Sequence, residues 1–345
     1  VHGEAMAVGE RTPVALLDAP ASGRLAVAEA VTNLLAAPVG ALDTVRLSAN
    51  WMAASGYPGE DERLYDTVQA VAALCRALGL AIPVGKDSLS MQTRWQVAGA
   101  PRAVVAPVSL VVSAFAPVAD VRGTWTPQLV AAPGSVLLLL DLGAGRDRLG
   151  GSVLAQAFGR DGGPPPDLDD PARLRGCAEW LAALRARDAV LAYHDRSDGG
   201  LFATLAEMAF AGRVGLDIHL PPLAGTALLG RLFSEEAGVV VQVRAADVAI
   251  ARELATAAGV GDLLAPVATV ATHPQLRIEA GGERLYAAER PALHRTWSAL
   301  SFRMQALRDN PDTAAEAYAA VVDEDDPGLS PRLGFDPAED VAAPY

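Results

Sequence analysis

The chain has 345 residues, 51% of them hydrophobic, and a formal net charge of −13 at pH 7. This length allows two domains, each with its own core. Its acidic balance and lack of basic clusters argue against nucleic acid as the main partner, and no apolar run approaches the roughly 18 residues of a membrane span. With no signal peptide at the N-terminus, the sequence predicts a cytoplasmic globular protein.

The first unit, residues 1–119, is predicted to mix helices and strands. Small apolar side chains over Ser22–Ala37 favour a helix, and alternating residues over Thr44–Met52 indicate a strand. Apolar residues recur on one face of Glu62–Leu78, and Gly79 is expected to end that helix.

A connection rich in proline and glycine, residues 120–134, is the predicted domain boundary. The second unit, residues 135–308, alternates strands and helices, which is typical of an α/β or α+β layer architecture. The tail, residues 309–345, is rich in Asp, Pro and Ala and is predicted to be extended.

Two polar residues lie on an otherwise apolar helix. Glu29 and Asn33 are four positions apart, so they share one helix face. One interpretation is that Glu29 pairs with an arginine while Asn33 caps a neighbouring loop. The other is a site for a hard cation, because carboxylate and amide oxygens suit Mg²⁺. The helix by itself leaves both readings open.

The stretch "HDRSDGG" (194–200) lies between the strand "AVLAY" and an apolar helix. Helix starts expose N–H groups that bind phosphate, and a glycine pair allows close backbone approach. The alternative is capping by Ser197 or Asp198 beside an ion pair of Asp195 with Arg196. Capping alone does not explain the whole motif, and His194 and Asp198 stay without an assigned role.

Other polar stretches carry weaker signals. "PVGKDSLSM" (83–91) is predicted as a short strand entering a glycine turn, with Lys86, Asp87 and Ser88 in a polar loop. "DLGAGRDRLGGSVL" (141–154) lacks the spacing of nucleotide-binding motifs. The two cysteines, Cys75 and Cys177, are predicted to be buried free thiols, and no catalytic residue is assigned.

Five strings in chain order resemble the large form of phosphoribosylformylglycinamidine synthase, the amidotransferase of purine biosynthesis. They cover essentially the whole chain: "GEAMAVGERTPVALLDAPASGRLAVAEAVTNL", "RLSANWMAASGYPGEDERLYDTVQAV", "IPVGKDSLSMQTRW", "HDRSDGGLFATLAEMAFAG" and "LFSEEAGVVVQV".

The resemblance implies an internally duplicated fold related to aminoimidazole ribonucleotide synthetase. Each half has an α/β domain, whose sheet pairs into a barrel, followed by an α+β domain. This chain would be the second half, a fragment that lacks the start of its first domain. Its tail would lead to an absent glutaminase domain, and the remaining domains of the parent chain would be its partners.

The resemblance also implies a set of ligands for an auxiliary Mg²⁺–nucleotide (ATP or ADP) site. Glu29, Asn33 and Asp195 would bind Mg²⁺, and Ser197 would contact the nucleotide. A further acidic ligand would lie upstream of Val1. Ser234 stands where the family usually has Asn.

The implied reaction converts formylglycinamide ribonucleotide, glutamine and ATP into formylglycinamidine ribonucleotide. This piece would supply the auxiliary site and a domain interface, and it is expected to be inactive alone. Two alternatives are a stand-alone ATP-dependent enzyme like aminoimidazole ribonucleotide or selenophosphate synthetase, and a non-catalytic scaffold.

Overall fold

The first sheet has four strands in the order β1-β6-β2-β3 in the computed structural model, which describes residues 1–328, 332–336 and 339. Only β2 and β3 are parallel; the other neighbours in this sheet are antiparallel. The strands are β1 (Gly3–Glu10), β2 (Arg46–Met52), β3 (Ala81–Ser88) and β6 (Ser109–Val118). A separate hairpin consists of β4 (Gln92–Val97) and β5 (Ala100–Val105).

Helices cover one face of this sheet. They are α1 (Thr12–Ala15), α2 (Ala19–Leu34) and α3 (Glu60–Leu78). The helix α2 begins at Asp18, whose carboxylate accepts a hydrogen bond from the Ala21 amide at 2.8 Å, and it packs between the sheet and α3. Gly79 ends α3 in the left-handed conformation, with φ of 76°, as predicted.

The other face of the sheet keeps apolar side chains exposed. Met6 and Val8 of β1 are 67% and 47% exposed, and Phe115 of β6 is 40% exposed. The alternate residues, such as Val112 and Ala114, are buried against the helices. Because successive side chains of a strand point to opposite faces, one side of this sheet is left without cover among the described residues.

The second sheet has seven strands in the order β13-β12-β9-β11-β7-β10-β8. They are β7 (Val136–Asp141), β8 (Val190–Arg196), β9 (Gly215–Leu220), β10 (Gly238–Val243), β11 (Leu264–Ala271), β12 (Gln275–Ala280) and β13 (Glu283–Glu289). The runs "VLLLL" and "GVVV" are apolar at every position because β7 and β10 are buried on both faces.

Among the described residues, seven helices lie between or after the strands of the second sheet. They are α4 (Val153–Ala157), α5 (Pro171–Arg185), α6 (Gly200–Gly212), α7 (Gly225–Phe233), α8 (Val248–Ala257), α9 (Arg290–Arg308) and α10 (Pro311–Ala320). None of the helices in the described part of the chain has the length and apolar character to cross a bilayer.

The two parts share one hydrophobic core. Its buried residues include Val27 of α2, Leu138 of β7 and Trp180 of α5. Arg24 of α2 forms a two-pronged ion pair with Asp167, at 2.7 and 2.5 Å. The contact between the two parts is therefore continuous, and it brings α2 against β8.

Most of the predicted elements are confirmed, and two predictions are wrong. The chain does not turn at Gly85: β3 continues to Ser88, parallel to β2, because a glycine there lets the strand lie against the Ala49 carbonyl. Residues 311–320 form α10 instead of extended chain; Asn310 caps this helix. Parts of the predicted tail, 329–331, 337–338 and 340–345, lie outside the described residues. Cys75 and Cys177 are buried free thiols, as predicted, and the linker at 120–134 stays a prediction.

Candidate functional site

Four segments distant in sequence meet at one small cavity between the two parts. Arg11 follows β1, Glu29 lies in α2, Ser197 follows β8 and Glu235 follows α7, and all four line it. The cavity has about 10 Å³, which is room for about one water-sized group. The sequence pointed to two of these four residues.

Glu29 lies at the edge of the buried face of α2. Its Oε2 accepts a hydrogen bond from the Glu10 amide at 2.8 Å. Burial raises the pKa of Glu29 to about 7, against the opposing effect of Arg11, and the charges of Asp195 and Asp198 raise it further. The raised pKa of Glu29 thus comes mainly from burial of its carboxylate.

Asn33 shares the helix face of Glu29 but is exposed. Its amide nitrogen donates to the Val8 carbonyl at 3.3 Å, so its side-chain oxygen is not used by that bond. The polar face of α2 is thus its accessible side: Glu29 is half-buried and Asn33 exposed, whereas most other residues of the helix are buried.

Asp195 is the second carboxylate of the site. It is 6% exposed, and its Oδ2 has no hydrogen-bond partner among the described residues. A buried, unpartnered carboxylate oxygen is costly unless a cation or a donor binds it. Asp195 directly precedes Arg196 and Ser197, which line the same cavity as Glu29, so the two carboxylates lie in the same part of the interface.

The start of α6 is already occupied by a carboxylate of the chain. Glu235 Oε1 accepts from the Gly199 amide at 2.9 Å and from the Val153 amide at 2.8 Å. Gly200 has a φ of 66°, and a Cβ there would lie 2.6 Å from the Ser234 carbonyl oxygen. Gly200 thus lets the backbone at Phe233 and Ser234 approach, and the Gly199 amide is already bonded to Glu235.

Arg11 is a second residue of the site, besides Glu235, that was not predicted from the sequence. Its guanidinium donates to Asp198 at 2.6 Å and to Glu235 at 2.5 Å, while the residue is 5% exposed. Burial alone would lower the pKa of Arg11, but Glu235, Asp198 and Glu29 together raise it. One cation therefore faces Glu29, Asp198 and Glu235. An arginine after a strand gives no signal of partners 187 and 224 positions away.

His194 bridges two carboxylates next to the cavity. Its Nδ1 lies 3.3 Å from Asp195 Oδ1, and its Nε2 lies 3.0 Å from Glu207 Oε2. Burial lowers the pKa of His194, but the hydrogen bonds to Asp195 and Glu207 outweigh this effect and raise it to about 9.

A second buried charge network supports β8 from the side of β7. Arg196 donates to Asp141 at 2.5 Å and to the Glu236 carbonyl at 2.7 Å. The ion pair of Asp195 with Arg196, which belonged to the alternative capping interpretation, is therefore absent among the described residues, since the arginine pairs with Asp141. The Glu236 carboxylate in turn accepts from Arg148 at 2.7 Å. The string "SEE" between two apolar elements was the available sequence signal for these acids.

The donor set fits Mg²⁺ held partly by a ligand. The described residues contain no group of three or more His, Cys, Asp or Glu side chains arranged for a metal. Mg²⁺, however, usually binds one or two carboxylates together with phosphates and waters. Two nearby carboxylates, of which Asp195 has a free buried oxygen and Glu29 a raised pKa, match that pattern.

Four further residues singled out from the sequence lie elsewhere. Lys86, Asp87 and Ser88 lie on the edge strand β3, where Lys86 donates to Ser88 at 2.6 Å, and they do not line the cavity. Ser234 is fully buried, and its hydroxyl has no partner among the described residues.

Two family models match the chain in succession. Residues 1–117 match the FGAR-AT PurM_N-like domain, and residues 132–279 match the C-terminal domain of AIR synthase related proteins.

Solved structures share this fold at low identity. Thermotoga maritima PurL complexed with ATP is 15% identical, with a TM-score of 0.62 over 85% of this chain and 44% of that one. The same protein complexed with FGAR gives 15% identity and a TM-score of 0.63 over 85% and 46%. The hydrogenase maturation protein HypE in complex with ATP is 16% identical, with a TM-score of 0.57 over 83% and 85%. The chain thus spans less than half the length of the PurL chains it matches.

Proposed function

Since this chain is a two-domain protein of the AIR synthase fold with an FGAR-AT PurM_N-like domain, we propose that it holds an Mg²⁺–adenine nucleotide between its domains. The parent enzyme would be the amidotransferase that makes formylglycinamidine ribonucleotide from formylglycinamide ribonucleotide, glutamine and ATP. The chain would supply an auxiliary nucleotide site and a domain interface to that enzyme. PurL structures with ATP and with FGAR support this choice of ligand class.

The single observation that carries the proposal is the free oxygen of Asp195. A carboxylate oxygen that is buried and unpartnered beside Glu29 calls for a cation. Arg11 is committed to Asp198 and Glu235, so it does not reach Asp195 in a described hydrogen bond.

Each residue has a role in this account. Asp195 and Glu29 would bind Mg²⁺ directly, and Asn33 would add its side-chain oxygen from the exposed side of α2. Ser197, at the lip of the cavity, would donate its hydroxyl to the nucleotide. Bound Mg²⁺ would supply positive charge against the phosphates.

Arg11 and Glu235 would set where the phosphates lie. Glu235 occupies the amide groups at the starts of α4 and α6, so a phosphate is kept outside that position by like charge. Arg11 also lines the cavity, and its positive charge offsets part of the negative charge of the carboxylates there. We therefore place the nucleotide on the open side, toward Ser197 and Asn33.

The uncovered face of the first sheet would be the interface. Met6, Val8 and Phe115 form an apolar patch on one side of a sheet whose other side is packed. Such a patch, which spans the paired strands β1 and β6, suits a matching sheet of a homologous domain. The partner would be another domain of the parent chain or, for this chain alone, a second copy.

A second candidate is a stand-alone ATP-dependent enzyme. It is favoured by the match to HypE, since the chain covers 90% of the HypE chain in the HypE–HypF complex, at 18% identity and a TM-score of 0.60. Steady ATP hydrolysis by the purified chain, lost in Asp195→Asn, would favour this alternative over an auxiliary site.

The test of the main proposal is the nucleotide that the protein carries. We expect purified protein, denatured and analysed by chromatography, to release ADP or ATP, and Asp195→Ala and Glu29→Ala protein to release far less. Folded variants, checked by circular dichroism, that release as much nucleotide as the wild type would refute it.

A further inference from the structure

A chain of contacts runs from the C-terminal helices to Asp195. Trp297 of α9 donates its indole N–H to Glu207 Oε1 at 3.0 Å. Glu207 of α6 holds His194 Nε2 through its other oxygen, Oε2, at 3.0 Å. His194 Nδ1 then lies 3.3 Å from Asp195 Oδ1. Trp297, Glu207 and His194, from three different elements, thus form a series of contacts whose last member is Asp195 Oδ1.

The two oxygens of Asp195 have different surroundings. Oδ1 is engaged by His194, whereas Oδ2 is buried and has no partner in the described part of the chain. A carboxylate held by one oxygen cannot rotate freely, so the other oxygen keeps a fixed direction. The ring of His194 is fixed in turn because its second nitrogen is bound by Glu207.

We propose that His194 and Glu207 are positioning residues that hold Asp195 with Oδ2 presented to the cation. This inference deepens the proposed function and rests on it. Groups that orient a metal ligand without touching the metal typically change metal affinity by about 10–100-fold when they are lost. His194 would act only through Asp195, and Trp297 would act through Glu207.

The chain contains a matched control for this pair. His273 Nε2 lies 3.0 Å from Asp217 Oδ1, and the side-chain exposures are 19% and 33%. The pair of His194 with Glu207 has the same distance and the same exposures. Asp217 belongs to β9 of the same sheet, whereas His273 lies in the loop after β11. Neither residue lines the cavity.

The experiment measures how much Mg²⁺ strengthens ADP binding. Calorimetric titration gives the dissociation constant of ADP with excess Mg²⁺ and with EDTA, and their ratio reports the cation. For His194→Ala we expect this Mg²⁺-dependent ratio to fall about 10–100-fold. For His273→Ala we expect it to stay at the wild-type value, even if both variants lose similar thermal stability.

Two conservative variants separate orientation from general packing. The amide nitrogen of Asn stands near the position of a histidine Nδ1, and that of Gln stands near Nε2. His194→Asn should therefore keep the contact to Asp195 and recover most of the ratio, while His194→Gln should not. If His194 served only to fill space, these two variants would show the same Mg²⁺-dependent ratio.

The outcomes separate the two proposals. Wild-type protein that binds ADP equally with and without Mg²⁺ would overturn the proposed cation site and this inference with it. A normal Mg²⁺ dependence in wild type together with an unchanged ratio in folded His194→Ala would overturn this inference alone. Equal loss in His194→Ala and His273→Ala would also overturn it.

Discussion

Arg11 and Glu235 form a buried ion pair, with Nη2 and Oε2 2.5 Å apart, between the end of β1 and the segment after α7. Their side chains are 5% and 3% exposed. The pair joins the two sheet-containing parts beside the cavity. Glu235 also accepts hydrogen bonds from the backbone amides at the starts of α4 and α6. One carboxylate thus organises three elements of the site.

Replacing Arg11 tests how much this pair contributes. Arg11→Met leaves Glu235 buried without its cation, so we expect the free energy of unfolding to fall by about 3–5 kcal/mol in urea titrations. Glu235→Gln in the same chain should recover part of the loss. Arg244→Met, which removes an exposed pair with Asp247, should cost less than about 1 kcal/mol. Equal losses for the two arginines would contradict this account.

The raised pKa of Glu29 predicts a pH dependence in metal-free protein. Between the ordinary pKa of 4.5 and the folded value of about 7, the folded state binds more protons than the unfolded state. Stability should therefore fall as pH rises through this window, by up to about 3 kcal/mol. Below pH 4.5 Glu29 is protonated in both the folded and the unfolded state, so it no longer makes stability depend on pH.

Glu29→Gln isolates this effect. With EDTA present, the variant should gain stability relative to wild type as pH rises from 4.5 to 7, and the gain should level off above pH 7. Urea unfolding at each pH measures it. A difference between variant and wild type that does not change with pH would show that Glu29 is not desolvated.

Gly200 tests the close approach at the start of α6. Gly200→Ala would place a Cβ against the backbone of Phe233 and Ser234 and would also strain a φ of 66°. Gly134→Ala adds the same kind of strain at a φ of 82°, with nothing within 4 Å. We expect Gly200→Ala to cost about 1–3 kcal/mol more in unfolding free energy. Equal costs would mean that the backbone after α7 moves aside easily.

The uncovered sheet face predicts association. Light scattering on protein eluting from a size-exclusion column should give a mass above the monomer value of 35.7 kDa. The Met6→Glu variant should show the monomer mass. Phe158→Glu changes a residue that is 75% exposed but lies outside the sheet, and it should leave the mass unchanged. A monomeric wild type would contradict the sheet interface between copies.

The sequence predicts local structure and single polar positions better than their partners. Helix α3 with its Gly79 end and the apolar strands β7 and β10 follow from periodicity and composition. Glu29 and Asp195 stand out because acids are rare in apolar elements. Arg11 does not stand out, and although "SEE" marks Glu235, neither local pattern shows that the two residues pair across 224 positions.

Two glycine positions show how a tertiary contact can look like another local signal in the sequence. The strand β3 passes through "VGKDS", where Gly85 serves close strand packing and not a turn. Gly200 likewise lets the backbone at Phe233 and Ser234 lie close to the start of α6. In both cases a glycine fits a tertiary contact, which composition alone cannot separate from a turn or a phosphate loop.

The most direct test of the central claim is calorimetric titration of nucleotide-free protein with Mg²⁺ and ADP. The account predicts saturable binding at one site in wild type, binding that is weakened at least about tenfold in Asp195→Asn, and unchanged binding in Asp217→Asn. Wild type that shows no heat of binding, or Asp195→Asn that binds as tightly as wild type, would contradict the assignment of an Mg²⁺–nucleotide site beside this cavity.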